Sequence, residues 1–181
     1  MIKMDIAKIF NLFYNDNNEL LATVAIHSEC VAGKALDCLR KRGIEADLEF
    51  VREAALLHDI GVVRCDAPSI HCYGLLPYIC HGVEGRKMLE ELSLPRHALV
   101  CERHTGSGLS VDDIIRQELP LPRRDMLPVS IEEKVICYAD KFFSKSGNLR
   151  EEKPLEKVIG QMERFGPDSL SRFMELHRLF G

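Results

Sequence analysis

The sequence predicts one all-helical domain, and three observations point to it. Apolar residues recur at three- and four-residue spacing in segment after segment, as they do on helices that bury a single stripe. Helix-capping residues bracket several of those segments. The 181 residues, 46% hydrophobic and 29% charged, are enough for one core, so residues 1–181 are read as a single domain that needs no disulfide or structural metal to fold.

The first segment places Ile6, Ile9, Phe10 and Phe13 on one face, which gives a short helix over residues 5–14. Asn15-Asp16-Asn17-Asn18 ends it and offers a cap for the next. A longer helix is expected from Glu19 to about Arg42, with Leu20, Val24, His27, Val31, Ala35 and Cys38 inward and Gly43 after a basic last turn. Asp47 caps a third helix, whose buried face carries Leu48, Val51, Ala55 and His58. Residues 62–80 are irregular, with Pro68, Gly74 and Pro77 but several apolar side chains, and read either as a wall or lid over a pocket or as a surface crossing. His81 opens a helix that continues to Leu92, and Pro95 starts another that ends near His104. The small-residue turn His104-Thr105-Gly106-Ser107-Gly108 is a phosphate cradle or, more commonly, a glycine-rich helix stop. Pro120, Pro122 and Pro128 break up a loop in which Arg123 and Arg124 are expected to be solvated. Ser130 and Glu133 form a capping box for a helix that runs through Ile136, Asp140 and Phe143. Two further helices flank Gly166-Pro167, and His177 on the second is expected at the surface.

Charge and cysteine usage narrow the partners. A net charge of -4 and a pI near 6.0 leave no basic stripe to hold nucleic acid by its phosphate backbone. A few local cations would still hold a small phosphorylated molecule. No stretch reaches the roughly 18 to 20 apolar residues that cross a bilayer, so no membrane partner is expected. Met1 to Asp5 lack the character of a signal peptide. Seven cysteines, an odd number, fit reduced thiols in a cytoplasmic protein better than a disulfide framework.

The residues that packing explains least well are His58 and Asp59, adjacent at the end of an apolar helical run and followed by Ile60-Gly61, where the glycine can stop the helix. A buried histidine and a C-cap aspartate are the plain alternative. A carboxylate in a last turn, however, sits at the negative end of the helix dipole and calls for a nearby cation. Imidazole and carboxylate side by side suit a hydrolytic transition-metal centre. His27 alone is more often a satisfied core residue than a ligand. Asp140, on an apolar ridge with Ile136 and Phe143, would cost several kcal/mol unpaired; a metal removes that cost, and an ion pair with Lys141 is the alternative.

Taken together, His27-Ser28-Glu29-x-Val31, Leu56-Leu57-His58-Asp59-Ile60-Gly61, His81-Gly82-x-x-Gly85, Glu102-Arg103-His104-Thr105-Gly106 and Tyr138-Ala139-Asp140-Lys141 resemble the HD-domain metal-dependent phosphohydrolase superfamily, in its His-Asp-Ile-Gly form. The resemblance covers about residues 19–145 and makes 146–181 a C-terminal helical extension. It implies an all-α HD-domain bundle with a mono- or binuclear metal site, of one or two ions, between core helices. His27, His58, Asp59 and Asp140 would hold a first divalent transition ion (iron, manganese, zinc or nickel). His81 and His104 would complete a second, with Asp59 bridging. The implied activity is hydrolysis of a phosphate ester or anhydride by metal-activated hydroxide, with Lys141 beside the reaction. The filled six-ligand pattern is similar to that of small HD proteins that hydrolyse diadenosine polyphosphates, so a nucleotide or dinucleotide is the expected substrate. Lys34, Arg64 and Lys141 are candidates to hold its phosphate, although each alone is more commonly a solvated cation. Two other classes stay open: an HD module that keeps its metal and senses a nucleotide without turnover, and a structural zinc protein built on His71-Cys72 and Cys80-His81. A homo-oligomer is compatible with either.

Overall fold

A computed structural model describes residues 4–14 and 17–181. Among these the helices are α1 (Ile6–Tyr14), α2 (Asn18–Arg42), α3 (Leu48–Leu57), α4 (His81–Glu91), α5 (Pro95–Arg103), α6 (Val111–Arg116), α7 (Ile131–Asp140), α8 (Leu155–Arg164) and α9 (Pro167–Phe180). The fold is all-α, as the spacing predicts. The one sheet is a two-stranded antiparallel ribbon, β1 (Asp66–Ala67) with β2 (Cys72–Tyr73). None of the described helices is long and apolar enough to cross a membrane.

Local chemistry sets the ends of the helices that carry the site. Asn17 accepts the Leu20 N–H at 3.0 Å at the start of α2, and Asn15 and Asp16 lie outside the described residues. Gly43 closes α2 in the left-handed region at φ 63°, where glycine bears no Cβ penalty. Asp47 accepts the Phe50 N–H at 3.0 Å and starts α3. Ser130 accepts the Glu133 N–H at 3.2 Å and starts α7. The predicted capping box is only half present there, because the Glu133 carboxylate turns instead to the Val129 N–H and to Arg103. A complete box forms at Ser110 and Asp113 and starts α6.

Gly61 does not stop a helix by turning left-handed. α3 ends at Leu57, His58 keeps a right-handed conformation, and the chain tightens into a 3₁₀ helix over Ile60–Arg64 that includes Gly61. The glycine is needed for space. A Cβ at Gly61 would meet the His81 carbonyl oxygen at 2.0 Å and the Gly85 nitrogen at 2.3 Å. Gly82 is equally tight on its other side, where a Cβ would lie 2.7 Å from the Cys101 carbonyl oxygen. Gly61 and Gly82, with Gly85 between Gly61 and Cys101, thus let the first turn of α4 sit directly against the 3₁₀ helix and the end of α5.

Two apolar clusters make up most of the core. One joins Val31 and Ala35 of α2 with Val51 and Ala55 of α3, Ile136 of α7, Val158 of α8 and Phe173 of α9. The other joins Phe10 and Tyr14 of α1, Leu20 and Val24 of α2, Leu57 of α3, Ile60 just beyond it, Leu89 of α4 and Cys101 of α5. Burying each of the larger side chains removes apolar area worth about 1.5–3 kcal/mol. His27 falls between Val24 of one cluster and Val31 of the other, and His58 follows Leu57 near Ala55. Polar residues at that seam are walled by hydrocarbon on both sides.

Candidate metal centre

The seam gathers six ligand-type side chains from α2, α4 and α7 and from the residues that directly follow α3 and α5. His27, His58, Asp59 and Asp140 form one group, and Asp59, His81 and His104 form a second. Within each group, one ligand atom from every member lies within 4.8 Å of the others. All six residues are buried, and Asp59, common to both groups, is 0% exposed.

The two oxygens of Asp59 face different groups. Oδ2 lies 3.0 Å from His58 Nε2 and 3.3 Å from His27 Nε2. Oδ1 lies 3.4 Å from His104 Nε2 and 3.6 Å from His81 Nε2. Asp140 Oδ1 closes the first group at 2.9 Å from His27 Nε2 and 3.3 Å from His58 Nε2.

Ring orientation shows what these nitrogens can do. His58, His81 and His104 each direct Nδ1 at the backbone carbonyl three residues earlier: Ala55 at 2.6 Å, Tyr78 at 2.7 Å and Cys101 at 2.7 Å. A carbonyl only accepts, so Nδ1 carries the hydrogen, and in the neutral ring Nε2 offers a lone pair to the centre. His81 and His104 then present two lone pairs to each other across 3.0 Å, an arrangement that repels unless a cation lies between them. Histidines that bind metals are held in this way through the other ring nitrogen.

Electrostatics agree with a cation site. Asp59 Oδ2 has the Lys145 ammonium at 2.7 Å, whereas the buried Oδ1 faces only the two imidazoles and accepts no hydrogen bond, a deficit that costs free energy in apolar surroundings. Burial works to raise the Asp59 pKa, but His58 and Lys145 more than offset it and hold the carboxyl well below its usual range. Asp140 is held low as well, with Lys141 and Lys145 overcoming its burial. Burial lowers His81 to about 3, reinforced by His104, and burial also lowers His104. His58 differs: burial opposes its charge, yet Asp59 and Asp140 raise it to about 9. A divalent ion would have to displace that proton. Nitrogen and carboxylate donors converging on a buried carboxylate shared by both groups fit such an ion.

A cavity of about 660 Å³ opens onto this centre, with His81, His104 and Asp140 in its lining. The phosphate candidates separate here. Lys141 lines the cavity, with Nζ 2.6 Å from Asp140 Oδ2 and donating to the His104 carbonyl at 2.9 Å. Lys34 does not reach it: Nζ is held by Glu152 at 2.6 Å and sits over the Phe142 ring. Arg64 is exposed and stands outside the lining. Lys145, which the sequence reading missed, lies 2.7 Å from Asp59 Oδ2 and lines the cavity. It follows the end of α7, where helical spacing carries no signal. Tyr14 is a second omission; its hydroxyl donates to the Ile60 carbonyl at 3.3 Å, with the Asp59 carbonyl at 3.5 Å.

Other expectations change in the same way. Residues 62–80 hold the end of the first 3₁₀ turn, a second at Pro68–Ile70, the β ribbon and a third at Tyr78–Cys80; Tyr78 and Ile79 join the cavity wall, whereas Leu75 is exposed. In the 104–108 turn, Thr105 and Gly106 line the cavity, and a Cβ at Gly108 would collide with Pro128. Arg124 is not simply solvated, since it pairs with the buried Glu102 together with Arg86. His177 is half-buried and bonded to the Tyr138 hydroxyl at 2.9 Å. The zinc alternative fails on direction: Cys72 donates to the Val62 carbonyl, Cys80 faces the Pro120 carbonyl, and His71 pairs with Glu19.

An all-helical domain with a buried histidine–aspartate cluster is a metal-binding class. The HD domain model matches residues 24–144, and the chain belongs to that family, the HD-domain metal-dependent phosphohydrolase superfamily. It is 37% identical over 127 residues to the uncharacterized protein MJ0778 of Methanocaldococcus jannaschii, across 70% of this chain and 65% of that one. Two proteins named tRNA (cytidine(56)-2'-O)-methyltransferase are also similar. That of Picrophilus torridus is 30% identical over 148 residues, covering 81% of this chain and 37% of the relative. That of Thermoplasma volcanium is 28% identical over 135 residues, covering 74% and 35%. The chain thus matches less than two thirds of each relative's length. No solved structure gave a significant match.

Proposed function

We propose that the protein is a metal-dependent phosphohydrolase acting on a phosphate ester or anhydride of a nucleotide or dinucleotide. His27, His58, Asp59 and Asp140 would hold one divalent transition ion, and Asp59, His81 and His104 a second, with iron, manganese, zinc and nickel all compatible with the donors. The observation that carries this reading is Asp59, whose two buried oxygens face separate histidine groups beside a cavity lined with lysines. Divalent ions held there supply Lewis acidity, which lowers the pKa of water towards neutrality and offsets charge on phosphoryl oxygens.

The chain's own residues do the rest. The carbonyls of Ala55, Tyr78 and Cys101 hold three imidazoles in the tautomer that leaves Nε2 free. Lys141 and Lys145 balance the two aspartates and can shift to a bound phosphate, since ammonium groups on flexible stems reorient readily. Tyr78, Ile79 and Leu109 add aromatic and apolar surface to the cavity lining. A net charge of -4 favours a small phosphorylated molecule over a polynucleotide, and seven free thiols suit a cytoplasmic setting.

The test is hydrolysis of a nucleotide panel and of p-nitrophenyl phosphate by protein loaded with manganese or iron. Turnover that disappears on chelation and returns with metal supports the proposal. Tight nucleotide binding with no turnover by any metal-loaded form would instead identify a sensing module.

A further inference from the structure

Part of the cavity wall comes from beyond residue 144, where the family match ends. Lys153, Gln161, Met162, Arg164, Phe165 and Arg172 all line it. The lysines in that lining are not equivalent. Lys141 sits on Asp140 at 2.6 Å and Lys145 on Asp59 at 2.7 Å. Arg172 sits on Asp113 at 2.6 Å. Among the described residues Lys153 has no carboxylate partner, and its ammonium has only the Gln161 side-chain oxygen, at 3.4 Å. Its backbone is fixed nonetheless, because the Lys153 N–H donates to the Phe142 carbonyl at 2.8 Å, two residues past Asp140.

Burial pulls the Lys153 pKa down; Asp140 opposes that, and Lys141 and Lys145 add to the fall. A half-buried ammonium crowded by two others and lacking a counter-charge is destabilised in isolation and stabilised by an anion. Next to it the wall turns apolar. Met162 is buried, and the Phe165 ring, half exposed, stands at the end of α8 with Leu109 and Leu119 in the same lining. A volume of about 660 Å³ falls within the range of pockets that hold one small molecule.

We propose that Lys153 is an anion-binding residue of this cavity, and that the Met162 to Phe165 turn is the surface on which the organic group of a phosphate monoester packs. The C-terminal helices then select the substrate, and the residues matched by the family supply the metal-binding centre. This inference rests on reading the cavity as the substrate site, but its test does not depend on turnover.

The experiment is calorimetric titration of the manganese-loaded full chain with inorganic phosphate and, separately, with adenosine monophosphate. Wild type is compared with Lys153→Met, Lys153→Arg and Phe165→Ala, after elemental analysis shows equal metal content and thermal melting shows equal folding. Lys153→Met should weaken both ligands by about 10-fold or more, the loss expected for one charged hydrogen bond. Lys153→Arg should restore most of that affinity. Phe165→Ala should weaken the nucleotide by roughly 5-fold and leave inorganic phosphate unchanged. Phosphate affinity unaltered in Lys153→Met would overturn the anion assignment, and nucleotide affinity unaltered in Phe165→Ala would overturn the wall. A wild-type protein that binds neither ligand overturns the inference as a whole. One that binds both but hydrolyses no phosphate ester overturns the hydrolase reading and supports the binding site.

Discussion

His81 Nε2 and His104 Nε2 face each other across 3.0 Å, while the Nδ1 atoms of both rings donate to backbone carbonyls. Neither nitrogen of the pair has a hydrogen to share in the neutral rings, so the contact is stable only around a cation. Removing one ring should therefore empty the second group and leave the first. Elemental analysis of His81→Ala and His104→Ala is expected to show one ion per chain where wild type shows two. Full occupancy in both variants would mean that these histidines hold no ion of their own.

Lys145 would compete with a metal for Asp59. A cation 2.7 Å from Oδ2 repels a divalent ion at the same carboxylate and attracts a phosphate beside it. Lys145→Met should bind manganese at least as tightly as wild type in a chelator competition, yet lose about 10-fold or more in kcat/KM. Weaker metal binding would show that the lysine supports the centre instead.

Gly61 packs so closely on α4 that any side chain must push it away. Gly61→Ala places a Cβ 2.0 Å from the His81 carbonyl oxygen, and the shift should cost roughly 3 kcal/mol. It should also move His81 off Asp59. Urea unfolding and metal content together check this, and a variant as stable as wild type with two ions would contradict it.

His97 gives the fold a measurable acid sensitivity. Its ring is buried against Phe50 at a centroid distance of 4.8 Å, and burial, helped by Arg96, lowers its pKa from 6.5 to about 4. The unfolded chain takes up this proton near 6.5, and the folded chain only near 4. Between those values the unfolded state binds more protons, so stability falls as pH falls, and the loss is complete below about 4. At pH 5 the histidine should cost about 2 kcal/mol relative to pH 7. In His97→Phe the drop in unfolding free energy from pH 7 to pH 5 should be smaller than in wild type by that amount. Equal drops would place the sensitivity elsewhere.

Much of the helical framework is legible in the sequence because its signals are local. The stripe from Leu20 to Cys38 and the caps at Asp47 and Ser130 each lie within a few residues of what they control. The Ser110 to Asp113 box is equally local. What fails is chemistry set by residues distant in the chain. Gly61 looks like a helix stop until α4 is placed on it. Arg124 and His177 look solvated until Glu102 and Tyr138 arrive beside them. Lys34 shares a helical face with His27, yet Glu152, from the far end of the chain, captures it. Lys145 lies past the end of α7, and only the folded chain shows it on Asp59.

Everything proposed for activity depends on Asp59 touching metal through both oxygens. An anomalous difference map from crystals loaded with manganese or iron, recorded at the metal edge, measures this directly. The expected map has one peak within bonding distance of Oδ2 and the His27, His58 and Asp140 donors, and another beside Oδ1, His81 and His104. Peaks only at surface carboxylates, with none within reach of Asp59, would contradict it.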